Sequence, residues 1–183
     1  MSPVGPVGTI LLVGLMGSGK STVAHLVGEA TGRAVLDTDE MVELAAGMSV
    51  RRIIETLGEA GFRERERTAL GEALDRNDVV VAAAGGSVCS AESAELVRAR
   101  RAARTCTVVW LTAPLAELAR RTASGEHRPA LDDDAEDVLG RMAAERNAVY
   151  ADLADIVVDT GGFDAVEVAR RVLRATGAVS DVG

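Results

Sequence analysis

Short apolar runs alternate along this chain with stretches in which apolar residues recur every three to four positions. Thr9–Val13 is apolar throughout; after a glycine-rich turn, Val23, Leu26, Val27 and Ala30 follow at helical spacing within Lys20–Thr31. Ala34–Asp37 reads as a second strand, and residues 41–46 start another helix. Residues 50–57 and 62–74 are helical in pattern, with Gly58 and Gly61 as the break between them. Residues 79–83 form a β-rich run ending at Gly85 and Gly86, 91–101 a helix, and 107–111 the next strand. Pro114 opens a helix reaching residue 122; residues 134–152 are helical, Ile156–Asp159 is a strand, and 166–175 is the closing helix. Five strands alternating with helices predict an α/β fold whose five-stranded parallel sheet is sandwiched by helices. Ligands of such sheets bind at the carboxyl edge of the strands, so residues 14–21, 37–39, 84–87, 112–114 and 160–162 are expected to converge.

Residues 123–134 are the longest stretch without periodicity, a polar loop expected to be mobile. With no repeat or second core in the pattern, residues 1–183 read as a single domain. Aromatic residues make up only 2% and the net charge is −8, which speaks against a base-stacking or phosphate-backbone surface and against an anionic membrane. No apolar run is long enough to span a bilayer and no basic leader precedes one, so a cytoplasmic protein is expected. Cys89 and Cys106 fit no metal or disulfide spacing and read as small buried hydrophobes. Nineteen of the twenty basic residues are arginines, and the single lysine is Lys20.

That lysine completes Gly14-Leu15-Met16-Gly17-Ser18-Gly19-Lys20-Ser21, which fits G-x-x-x-x-G-K-[ST] between a strand and a helix. Glycines let backbone N–H groups wrap a phosphate, and the helix adds its positive end. Lys20 is expected on the β- and γ-phosphates of a nucleotide and Ser21 on Mg²⁺. Asp37 and Asp39 fall at the end of the second strand, beside that loop; helix capping, with Glu40 completing a capping box, is the plainer reading of Asp37. Arg146 takes the missing position of an apolar stripe formed by Leu139, Met142, Val149 and Leu153, so it faces inward and needs an anion, from a structural carboxylate or from a substrate. Arg63 sits in a run of alternating charge that would serve equally as a solvated face, and Arg128 in the long loop could pair with the acids at 132–134. The arginine-rich run at 98–104 reads as a solvated helix end.

Together, the GLMGSGKST segment, the LDTD element at 36–39, Phe62-Arg63, AGGSV at 84–88, Arg128-Pro129, and Arg146 with Tyr150 resemble the shikimate kinase family, small P-loop kinases of nucleoside-monophosphate-kinase-like fold. The resemblance implies ATP-dependent phosphorylation of shikimate to shikimate 3-phosphate, with ATP and Mg²⁺ as cofactors and a monomeric enzyme that binds no nucleic acid. It implies that Gly14, Gly17, Ser18, Gly19, Lys20, Ser21, Thr22 and Arg121 bind the nucleotide and that Ser21 and Asp37 hold the metal. Lys20, Asp39 and Arg128 become the catalytic residues, and Asp39, Arg63, Gly85, Gly86 and Arg146 bind the acid, with Glu66 orienting Arg63. Residues 38–76 become a substrate-binding helical region and 123–134 a lid. The chain departs from the family at Ala84, where a third glycine is usual; its methyl is expected to narrow the acid site. A sister kinase for another hydroxylated ring acid or sugar acid, or a nucleotide-binding regulatory domain without transfer activity, are the alternative readings.

Overall fold

The computed structural model describes residues 8–123 and 135–178. The loop assigned to the lid therefore lies, but for residue 123, outside the described residues, and so does Arg128. Five strands, β1 (Thr9–Val13), β2 (Ala34–Asp37), β3 (Val79–Ala82), β4 (Cys106–Thr112) and β5 (Ile156–Asp159), form one all-parallel sheet in the order β2-β3-β1-β4-β5. Among the described residues, seven helices flank it: α1 (Lys20–Thr31), α2 (Thr38–Ala46), α3 (Val50–Leu74), α4 (Ala91–Ala102), α5 (Leu115–Thr122), α6 (Ala135–Leu153) and α7 (Ala165–Thr176).

Composition of the strands explains their order. All five residues of β1 and all four of β3 are buried, as strands covered on both faces must be, whereas β2 and β5 at the edges carry exposed positions. Side chains alternate between faces: Leu11, Val13, Val79 and Val81 join one core with Leu70, Val97, Leu118, Leu139 and Leu153 of α3 to α6. Ile10, Leu12, Val80 and Ala82 join a second core with Val23 and Val27 of α1 and Val168 and Val172 of α7. A third cluster, Val42, Ile53, Phe62 and Ala69, is internal to α2 and α3 and lets that pair stand beyond the sheet edge with its own small core.

Three details differ from the sequence reading. Helix α2 starts at Thr38, directly after β2, because Asp37 caps it, so Asp39 lies in its first turn instead of a loop. Within α3 the break expected between two helical stretches is present, but it falls at Gly58 alone (φ 71, ψ 175), a conformation only glycine adopts without strain, while Gly61 is helical. The arginine run is more than a solvated helix end: Arg98 pairs with Asp152, Arg100 with Asp75 and Arg101 with Asp155, which fastens α4 to three neighbouring segments. No helix among the described residues is long and apolar enough to cross a membrane.

Asp155 is the most committed of these acids, since Oδ1 accepts from both Nε and Nη2 of Arg101 while Oδ2 accepts from the Val108 N–H at 2.9 Å. Replacing it with alanine strands a partly buried amide of β4. Chemical denaturation of Asp155→Ala is expected to show a loss of about 1–3 kcal/mol, and an unchanged midpoint would remove the residue from the stability account.

Candidate active site

The turn after β1 is built for an anion. Gly14 lies so close to β4 that a Cβ would sit 2.3 Å from the Leu111 carbonyl oxygen, and its φ of 147° disfavours any side chain. Helices α2, α3, α4 and α7 each start with a side chain capping an amide, from Asp37, Ser49, Ser90 and Asp164 respectively. Helix α1 starts at Gly19 with no side-chain cap and no acid in its first turn, so its leading amides face an anion site. Lys20 Nζ donates to the carbonyls of Gly14 at 3.0 Å and Leu15 at 3.1 Å, lying along the loop, while Gly17 closes against the Leu118 backbone of α5. The Ser18 hydroxyl is buried and, among the described residues, has no hydrogen-bond partner, an orphan that a phosphate oxygen would satisfy.

Ser21 and Thr22 are exposed in the first turn of α1. Ser21 Oγ donates to Asp37 Oδ2 at 2.5 Å, and Asp37 Oδ1 accepts the Asp39 N–H at 2.9 Å. One Asp37 oxygen thus caps the helix while the other faces Ser21; the capped amide is that of Asp39, so no box with Glu40 is needed. The pair of hard oxygens beside a phosphate loop fits Mg²⁺, which takes one or two protein oxygens and fills its other positions with water and phosphate.

A cavity of about 380 Å³ opens beside this loop, with Arg63, Glu66, Gly86, Ser87, Cys89 and Arg146 among its lining residues. Arg63 Nη1 bonds Glu66 Oε2 at 2.6 Å and Nη2 bonds Glu59 at 3.1 Å, so Glu66 holds the guanidinium at the cavity wall. Burial pushes the Glu66 carboxyl up from its ordinary range, Arg63 opposes this, and the nearby charge of Asp39 adds to it. Gly86 makes room for this arginine: a Cβ there would lie 2.4 Å from Arg63 Nη1. A Cβ on Gly85 would lie 3.3 Å from Arg146 Nη1 and 3.4 Å from the Gly14 carbonyl, so this glycine touches both the phosphate loop and the second arginine. Among the described residues, no carboxylate pairs with Arg146 at ion-pair distance. Its place on the buried stripe of α6 is as the periodicity predicts, with Leu139 and Leu153 fully buried on either side.

Ala84 is buried, at 6% exposure, with its N–H donated to Thr38 Oγ1. Cys89, read as a buried hydrophobe, is half-buried in the cavity wall, whereas Cys106 is buried in β4, where burial pushes its thiol up to about 12. Arg121 is committed to the protein: it donates to Gly17 O at 3.4 Å, to Thr160 Oγ1 at 2.9 Å and O at 2.8 Å, and to Glu117 at 2.6 Å. Glu117 also accepts the Gly162 N–H at 3.1 Å, so the two side chains brace the phosphate loop against the β5–α7 turn. Sequence reasoning missed Glu117, which the (i, i+4) spacing to Arg121 signals, and Thr38, which stands between the two aspartates with its hydroxyl on the Ala84 amide.

The fold has close counterparts. A family model for shikimate kinase matches residues 16–176. The chain belongs to the shikimate kinase family. Among its relatives, a shikimate kinase of Halorhodospira halophila is 40% identical over 91% of this chain and 92% of its own, and one of Bordetella avium is 37% identical over 90% and 77%. A solved structure described as shikimate kinase from Acinetobacter baumannii in complex with shikimate superposes with a TM-score of 0.85 at 32% identity, covering 92% of each chain. In this family member Gly86 lines the cavity, and its neighbour Gly85 packs against the Gly14 carbonyl of the phosphate loop.

Gly14 is the most constrained part of the loop. Gly14→Ala is expected to lose about 1–3 kcal/mol in thermal unfolding from the strained backbone and to weaken binding of a non-hydrolysable ATP analogue in calorimetry. Parental affinity in that variant would contradict the close approach to β4.

Proposed function

We propose that this protein transfers the γ-phosphoryl group of ATP to shikimate, giving shikimate 3-phosphate and ADP. The observation that carries the reading is the cavity beside the phosphate loop with two arginines in its wall, one of them without a carboxylate partner among the described residues. A ring acid placed there puts its carboxylate on Arg63 and Arg146 through charge-assisted hydrogen bonds and its ring hydroxyls toward Asp39 and the amides of Gly85 and Gly86. A nucleoside monophosphate gives no reason for this arrangement, and a purely regulatory domain gives none for the acid cavity. The buried Ala84 supports shikimate over a retuned ring acid.

The residues divide the work of an in-line transfer. The loop amides with Gly14, Gly17, Ser18, Gly19 and Thr22 cradle the phosphates. Lys20 neutralises charge on the β- and γ-phosphates, and Arg121 supports the nucleotide side by holding the loop against Thr160. Ser21 and Asp37 would hold Mg²⁺, which when bound would neutralise phosphate charge. Asp39 orients the acceptor hydroxyl and takes its proton as the new P–O bond forms and the bond to the ADP oxygen breaks. Arg128, on the resemblance, meets the transferred phosphoryl group from the lid.

The direct test is ADP release measured with shikimate, quinate, gluconate and nucleoside monophosphates as acceptors. Shikimate is expected to give the highest kcat/KM; a higher value with another acceptor, or none with shikimate, overturns the assignment. Two variants separate donor from acceptor chemistry. Lys20→Ala weakens ATP engagement and chemistry together, whereas Asp39→Asn lowers kcat by about 10²–10⁴ and leaves ATP affinity near parental. Near-normal turnover of Asp39→Asn removes the carboxylate from the mechanism.

Arg63→Ala and Arg146→Ala each raise the KM for shikimate, by the loss of charge-assisted bonds worth about 1.5–3 kcal/mol. Thermal unfolding measured alongside distinguishes this from lost packing. A variant that loses stability while its folded fraction keeps parental affinity shows a structural arginine.

A further inference from the structure

The acid cavity depends on the backbone at Ala84, Gly85 and Gly86, and the structure fixes that backbone atom by atom. Strand β3 pairs with β2 as far as Asp37 and Ala82, after which the chain of β2 turns into α2. Ala83 still donates its N–H to Leu12 of β1 at 3.0 Å. On the other side no strand remains to receive the Ala84 N–H. Thr38 Oγ1, fully buried, accepts it at 2.8 Å and so stands in for the missing ladder carbonyl.

The three carbonyls of the loop are also tied into the protein. Ala84 O accepts from Ser87 N at 3.0 Å and Ser87 Oγ at 2.8 Å, Gly85 O accepts from the Tyr150 hydroxyl, and Gly86 O accepts from Cys89 N at 3.0 Å. A planar trans peptide sets N–H and C=O on opposite sides. Anchoring the carbonyls of Ala84 and Gly85 therefore turns the next two amides, those of Gly85 and Gly86, away from Ser87 and Tyr150. Arg146 and Arg63 lie close against these same two residues.

We propose that Thr38 and Tyr150 are positioning residues whose hydroxyls, reaching from α2 and α6, set the Ala84–Gly86 backbone so that the Gly85 and Gly86 amides serve as paired donors to the ring hydroxyls of the acceptor. The inference rests on the acceptor reading given above. Thr38 has a second consequence, because it is flanked by Asp37 and Asp39 in sequence: one bond fixes the spacing between the carboxylate that orients the reacting hydroxyl and the amides that hold the ring. Ala84 is admissible in place of glycine for the same reason, since its amide is spent on Thr38 and its methyl is buried.

The test is steady-state kinetics of Thr38→Val, Thr38→Ser and Tyr150→Phe, with both substrates varied and thermal unfolding recorded. The valine substitution keeps shape and removes the bond to the Ala84 amide; phenylalanine keeps the ring beside Trp110, 5.9 Å away between centroids, and removes the bond to Gly85 together with the hydroxyl's interactions with Arg146 and Cys89. Each of these two is expected to raise the shikimate KM about five- to thirtyfold, with the ATP KM within about twofold of wild type, while Thr38→Ser stays near wild type. If Thr38→Val does not fold, Thr38→Ala, which removes the same bond to the Ala84 amide, takes its place. Parental shikimate KM and kcat in Thr38→Val and Tyr150→Phe overturn the inference. So does a parallel rise of both KM values with Thr38→Ser equally impaired, which marks a general structural role. Wild-type protein that turns over no shikimate overturns the acceptor reading, and this inference with it; an active wild type with unaffected variants overturns the inference alone.

Discussion

β1 and β3 lie side by side at the centre of the sheet, and almost everything else about the site follows from that adjacency. Both strands end at the same edge, so the phosphate loop after β1 and the Ala84–Gly86 loop after β3 meet, with Gly85 packed close to the Gly14 carbonyl. On the reading proposed above, donor and acceptor sites thus meet at a wall of backbone. The pairing itself is held by hydrophobic strands buried on both faces, which makes the separation of the two loops a property of the core.

The charged groups are placed by what surrounds this wall. Helix α3 delivers Arg63 and its buried partner Glu66, α6 delivers Arg146 one turn before the buried Tyr150, and α2 delivers Asp39 in its first turn. A buried carboxylate such as Glu66 is costly alone, and its presence is accounted for by the arginine it orients. The nucleotide side uses the same device, with Glu117 and Arg121 coupling α5, the phosphate loop and the β5–α7 turn.

Much of this was legible in the sequence because it rests on local patterns. Apolar runs located all five strands, the stripe of α6 put Arg146 facing inward, and the glycine-lysine spacing placed the phosphate loop. What was not legible involves contacts between residues far apart in the chain. The Thr38 bond to Ala84 spans 46 residues and the Tyr150 bond to Gly85 spans 65, and neither leaves a periodicity. The arginines at 98–104 carried a dipole signal, but their acidic partners lie on α3 and around the α6–β5 junction and could be paired with them only by the fold.

The central claim is geometric, that one ring acid lies between two arginines with a hydroxyl turned to Asp39 beside the phosphate loop. A crystal structure of the protein with shikimate bound tests it most directly. The expected result has the carboxylate within hydrogen-bonding distance of both Arg63 and Arg146, a ring hydroxyl on Asp39, and other ring hydroxyls on the amides of Gly85 and Gly86. Shikimate bound away from Arg146, or with its carboxylate toward the phosphate loop, would contradict the account.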